Sequence, residues 1–171
     1  MKKRAWIAFL AVLIWTSTAG AAQFPPVEMY SDKNITVYAD KNELQSAPTI
    51  SGYMDRRAFS VTLSYYFKTD QARNGMITAA KQITQNYKTF VMVPNTEDTI
   101  AFVNYEVRFY HEIDAALVLK ETFLDSTGQI IAWRNVGEVA FLTGDHSPIL
   151  AEVFKNLGAY ITVFVAKNQV N

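Results

Sequence analysis

The chain has 171 residues, of which half are hydrophobic and 13% aromatic, so it can bury a core and is not a disordered polar chain. Sixteen basic residues balance sixteen acidic ones, and no basic stripe of the kind that grips nucleic acid is present. There is no cysteine, which excludes disulfides, thiol catalysis and cysteine-ligated metal, and leaves packing to hold the fold.

The first 22 residues read as a secretory signal peptide. Lys2, Lys3 and Arg4 precede an apolar run from Ala5 to Trp15, and Ala19-Gly20-Ala21-Ala22 supplies small residues for cleavage. The apolar run is too short for the roughly 20 residues of a spanning helix. Cleavage is expected after Ala21 or Ala22, with export to the periplasm, the cell surface or the medium. Three basic residues leave with the signal and no acid does, so the mature chain is acidic by three charges. No transmembrane anchor is expected after cleavage.

Residues 23–34 form an extended leading segment, stiffened by Pro25 and Pro26. Residues 35–167 are expected to form one domain. Ile35 to Ala39 alternates and is β-branched, which predicts a strand. Lys41 to Pro48 is polar and predicts a turn or short helix, and Ser51 to Arg57 a loop broken at Gly52. Phe59 to Phe67 alternates strictly, with Phe59, Val61, Leu63, Tyr65 and Phe67 on one face and Ser60, Thr62, Ser64 and Tyr66 on the other. Met76, Ile77, Ala80, Ile83, Thr84 and Tyr87 then recur at helical spacing, behind Asp70 as an N-cap.

Phe90 to Val93 is a short apolar run stopped by Pro94. Ile100 to His111 predicts a long strand whose apolar face carries Ala101, Val103, Tyr105, Val107 and Phe109, against Asn104, Glu106 and Arg108. Ala115 to Leu124 pairs with it. Asp125-Ser126-Thr127-Gly128 is a tight turn, Gln129 to Arg134 returns, and Val136 to Phe141 adds an edge strand. Ser147 caps a last helix that opens on Pro148 and runs an apolar stripe from Ile149 to Val165. Gly158 sits beside that stripe, where it would let the helix lie close on a sheet. The competing reading ends the helix at Gly158 and makes residues 159–166 partly a strand. The class is α+β: a mainly antiparallel sheet packed against a central and a C-terminal helix.

Chemistry-bearing clusters are sparse. His111 with Glu112 and Asp114 reads as a charged strand end, and Asp145-His146-Ser147 as a helix cap, since a working triad converges in space rather than in sequence. Glu121 and Asp125 lack the marks of a carboxylate pair in a pocket. Neither a phosphate loop nor a nucleophile elbow occurs. No catalytic residue, metal ligand or cofactor is expected. The surplus is aromatic: Tyr66, Phe102 and Tyr110 fall on the faces opposite the main stripes. They form a candidate protein- or glycan-binding patch unless a helix covers them.

Three short motifs carry a resemblance. Asn34 to Asp40 contains Val37-Tyr38-Ala39-Asp40, Lys120 to Trp133 contains Asp125-Ser126-Thr127-Gly128, and Gly144 to Pro148 leads into Leu150. They resemble the opening strand, the hairpin and the approach to the closing helix of surface-adhesin protein E-like domains. The resemblance covers the two ends of the mature domain and does not account for residues 70–88. The cysteine pair frequent in that family is missing here. The resemblance implies a small exported bacterial envelope or surface domain, some of whose relatives bind host matrix or plasma proteins, with no catalytic residues. The leading expectation is thus an exported, non-enzymatic binding, adhesin-like or structural module. The alternative is a periplasmic carrier of an apolar ligand between the sheet and the last helix. An envelope hydrolase ranks third.

Overall fold

Alternation in the sequence becomes one long strand at the centre of the molecule. The computed structural model describes residues 26–40, 43–48, 54–86, 91–92, 97–111, 113–143 and 147–168. The signal peptide and its cleavage point, Gly52, Tyr87, Glu112 and His146 lie outside the described residues, as do the side chains of residues 159–168. Among the described residues, eight strands form one sheet: β1 (Val27–Ser31), β2 (Ile35–Ala39), β3 (Gln45–Pro48), β4 (Met54–Phe67), β5 (Val91–Met92), β6 (Phe102–Tyr110), β7 (Ala115–Leu124) and β8 (Ile130–Phe141). Two helices, α1 (Asp70–Asn86) and α2 (Pro148–Asn168), complete the α+β fold.

Every described strand pairing is antiparallel, in the order β1-β2-β4-β6-β7-β8-β5. The long strand β4 offers one edge to two partners. Residues 63–67 take β2, and residues 54–60 take β3. Its other edge pairs with β6 from Ala58↔Tyr110 to Tyr66↔Phe102 without a slip.

Three expectations change. The leading segment carries an edge strand, β1, which Asn156 of α2 holds by donating from Nδ2 to the Met29 carbonyl at 2.8 Å. The supposed turn at Lys41 to Pro48 contains strand β3, and β4 starts at Met54, inside the supposed loop. The two short strands expected after the Asp125 turn are one strand, β8. Gly137 interrupts its pattern without ending it, taking up φ +76° where an extra residue bulges out of the ladder.

The turn itself is as the sequence predicts. Gly128 has φ +84°, and Asp125 Oδ1 accepts the amides of Thr127 (2.8 Å) and Gln129 (3.0 Å). Helix α1 is capped one residue earlier than expected. Thr69, not Asp70, takes the cap, its Oγ1 accepting the Ala72 amide. Helix α2 runs through Gly158, which decides between the two readings of residues 159–166 in favour of helix. The close approach expected at Gly158 is not seen among the described residues, where a Cβ would meet nothing within 4 Å.

The core lies on one face of the sheet, in two clusters. Phe59, Val61, Leu63, Val107 and Phe109 share the first with Val153 and Leu157 of α2. Phe154 of α2 stacks on Phe59 and Phe109, at centroid distances of 6.1 and 5.4 Å. Ile77 and Ala80 of α1 share the second with Val103, Phe123, Ile131 and Ala132. Arg73 ties α1 to the chain before β6, donating to the carbonyls of Ile100 (2.7 Å) and Asp98 (2.6 Å).

Candidate functional site

The sheet bends where two bulges lie side by side. Leu119 is the extra residue of β7 against β6, and the Gly137 region supplies the extra residue of β8 against β7. A bulge kinks its strand and raises the local twist. It also reverses which side chains face the core. Below Leu119 the inward residues of β7 are even, Ala116 and Val118; beyond it they are odd, Glu121 and Phe123. The bend therefore delivers a carboxylate, Glu121, to the inner face.

Against this bend lies an apolar cavity of about 460 Å³. Ile35 of β2, Tyr65 and Phe67 of β4, Tyr105 and Val107 of β6 and Val118 of β7 form its floor. Ala72 and Met76 of α1 form one wall, and Ser147 to Leu150, at the start of α2, the other. A concave site of that size, with apolar lining and few polar groups, is the usual form of a small-molecule pocket. The sequence places Tyr65, Phe67, Tyr105 and Val107 correctly on inward faces. It does not reveal that α1 and the first turn of α2 leave a gap above them.

The polar groups at the floor are ordered by one ion pair. Glu121 is 4% exposed. Its Oε2 accepts Arg134 Nε at 2.6 Å, and its Oε1 accepts the Tyr105 hydroxyl at 2.9 Å. Glu121 and Arg134 are cross-strand neighbours in register, which is why residues so far apart in sequence meet. The Tyr105 ring meets that of Tyr65 edge-on, with centroids 4.9 Å apart. Burial pushes both phenols well above the ordinary tyrosine value, and for Tyr105 the neighbouring Glu121 charge adds to the shift. Both therefore stay protonated, and Tyr105 acts as a hydrogen-bond donor. In the unfolded chain they ionise near pH 10. The contribution of the neutral phenols is thus intact below about pH 10 and is lost as pH rises towards their folded values. In an ultraviolet titration the phenols of Tyr65 and Tyr105 are expected to stay silent through about pH 11, until alkali unfolds the protein.

The aromatic patch is only partly assembled. Tyr66 and Phe102 stack at 4.7 Å, and Tyr38 meets Tyr66 edge-on at 5.6 Å. Tyr66 is 42% exposed on the outer face, away from both core clusters, so no described helix covers it. Tyr110 stands at the opposite end of β6, in register with Ala58, and does not join them. Tyr38 is the member that the sequence reading missed, although it alternates outward on β2.

His111 is exposed, its ring 5.9 Å from that of Phe154. Asp114 is also exposed and holds φ +45° in the turn between β6 and β7. Asp125 keeps its carboxylate in the hairpin turn after β7, with Thr127 lowering its pKa first among its partners. Among the described residues, no three of His, Asp and Glu converge on one point. No helix among them is long and apolar enough to cross a membrane. Comparison with protein-family models, with curated proteins and with solved structures finds no match.

Proposed function

We propose that the protein is an exported, non-enzymatic binding module that holds a small apolar ligand between its sheet and its two helices. The observation that carries this reading is the 460 Å³ cavity, whose floor and walls are almost wholly apolar. Of the functions the sequence allows, the carrier is the one that needs such a cavity. The site is wider than that reading expects, because Ala72 and Met76 of the central helix line it together with the last helix. The N-terminal pattern of Lys2 to Ala22 supports export, and an acidic mature chain gives no electrostatic reason to bind nucleic acid or anionic lipid.

The test is displacement of an environment-sensitive apolar dye. The mature protein is expected to bind one equivalent saturably. Ala72→Phe, which adds a ring from the α1 wall, is expected to lower that binding at least tenfold while circular dichroism stays unchanged. Dye binding that is indifferent to Ala72→Phe, or that does not saturate, sinks the pocket as a ligand site.

A second reading has one observation of its own. The Tyr38–Tyr66–Phe102 ladder, exposed at Tyr66 and half-buried at its two ends, is a surface on which a glycan ring or a partner's side chain can stack. It supports the adhesin-like role that the resemblance implies, and residues of the inner pocket play no part in it.

A further inference from the structure

We infer that the pocket selects an uncharged amphipath, an apolar chain bearing one oxygen acceptor, and that the Tyr65 hydroxyl is the group that receives that oxygen. This rests on the reading of the cavity as a ligand site.

Among the described residues, three hydroxyls line the cavity, those of Tyr65, Tyr105 and Ser147, and that of Tyr105 is already committed. Tyr105 donates to Glu121, and Glu121 accepts Arg134. Tyr65 is different. It lines the same cavity and is half-buried, and among the described residues its hydroxyl has no hydrogen-bond partner. Burial is the whole cause of its raised pKa, with no hydrogen bond contributing. That hydroxyl borders the cavity, where a ligand oxygen placed against it would accept its hydrogen bond. The phenol is neutral, so it donates one hydrogen bond and carries no charge to the ligand.

The rest of the lining decides what the remainder of that ligand looks like. Ile35, Phe67, Val107 and Val118 offer only hydrocarbon, and Met76 adds a thioether. Among the described residues, no lysine, arginine or histidine lines the cavity. The nearby cation, Arg134, is engaged by Glu121 at 2.6 Å. A carboxylate would therefore enter without a counter-charge, at a cost that a single phenol does not offset. A ketone, ester or alcohol oxygen on an alkyl chain meets the lining without that cost. The first turn of α2, also in the wall, is the one feature that would favour an anion instead.

The experiment uses the mature protein and the same dye, displaced by three probes of equal chain length: a medium-chain alkane, the methyl ketone and the carboxylate. Wild type and Tyr65→Phe are compared. Tyr65→Phe is expected to weaken the ketone about fivefold, the worth of one neutral hydrogen bond, and to leave the alkane unchanged. The unchanged alkane shows that the pocket is intact in the variant. A ketone that binds both proteins equally overturns the role of Tyr65. A carboxylate that binds wild type more tightly than the ketone overturns the uncharged head and places the anchor at the start of α2. If none of the three displaces the dye, the pocket itself fails as a ligand site, and the inference fails with it.

Discussion

Leu63→Ala is expected to destabilise the protein by about 2–5 kcal/mol, the range for truncating a core leucine. Leu63 is fully buried in β4, in register with Ala39 on one side and Tyr105 on the other. Its cluster includes Val37, Phe59, Val61, Val153 and Leu157, so the lost methyl groups leave a void bounded by the sheet and α2. Both neighbouring strands are pinned by their ladders and cannot easily close that void. Urea unfolding is expected to show a lower midpoint at an unchanged slope. Ser64→Ala, one residue on and facing out, is the control and is expected to move stability by about 0.5 kcal/mol or less. A change below that size for Leu63→Ala would mean that α2 does not sit on this face.

Arg134→Met is expected to cost about 3 kcal/mol or more, because it leaves the Glu121 carboxylate buried with only the Tyr105 hydroxyl for company. The side chain of Arg134 is 24% exposed and that of Glu121 only 5%, so the burden falls on the acid. Glu121→Gln is expected to cost less. Its amide oxygen can still accept from Tyr105, and the stranded guanidinium reaches water. The double variant Glu121→Leu with Arg134→Met is expected to recover most of the loss, since a matched apolar pair removes the uncompensated charge. Equal costs for Arg134→Met and Glu121→Gln would show that solvent already serves the carboxylate.

Much of the fold is legible in the sequence because strand alternation is a local signal. The faces of β4 and β6 follow directly from Phe59 to Phe67 and from Ala101 to Phe109. The segments that escape it have weak local signals. Gln45 to Pro48 lacks β-branched or aromatic residues, and only the long open edge of β4 makes it a strand. The sequence reading splits β8 after Arg134, where the pattern slips, and the slip is a bulge beside Gly137. Asp70 and Thr69 are both good caps, and only geometry separates them. The site is less legible still. Tyr65, Tyr105, Val107 and Val118 all read as ordinary core. The gap above them depends on where two helices land, and the Glu121–Arg134 pair on register across a hairpin. The sequence points to the outer aromatic patch more openly, but joins Tyr110 to residues that stand at the other end of its strand.

The bulge at Gly137 has a consequence for solubility. Among the described residues, β5 pairs with β8 only at Ala132 and Trp133, so the stretch towards Phe141 presents its backbone along an open edge. Val139 and Phe141 stand exposed on that stretch. A flat, apolar edge of this kind is a template on which a second chain can add a strand and begin a fibre. Gly137, in its left-handed conformation, breaks the edge into short pieces and twists them apart. The residue that bends the sheet over its cavity also guards the molecule against growing by its own margin.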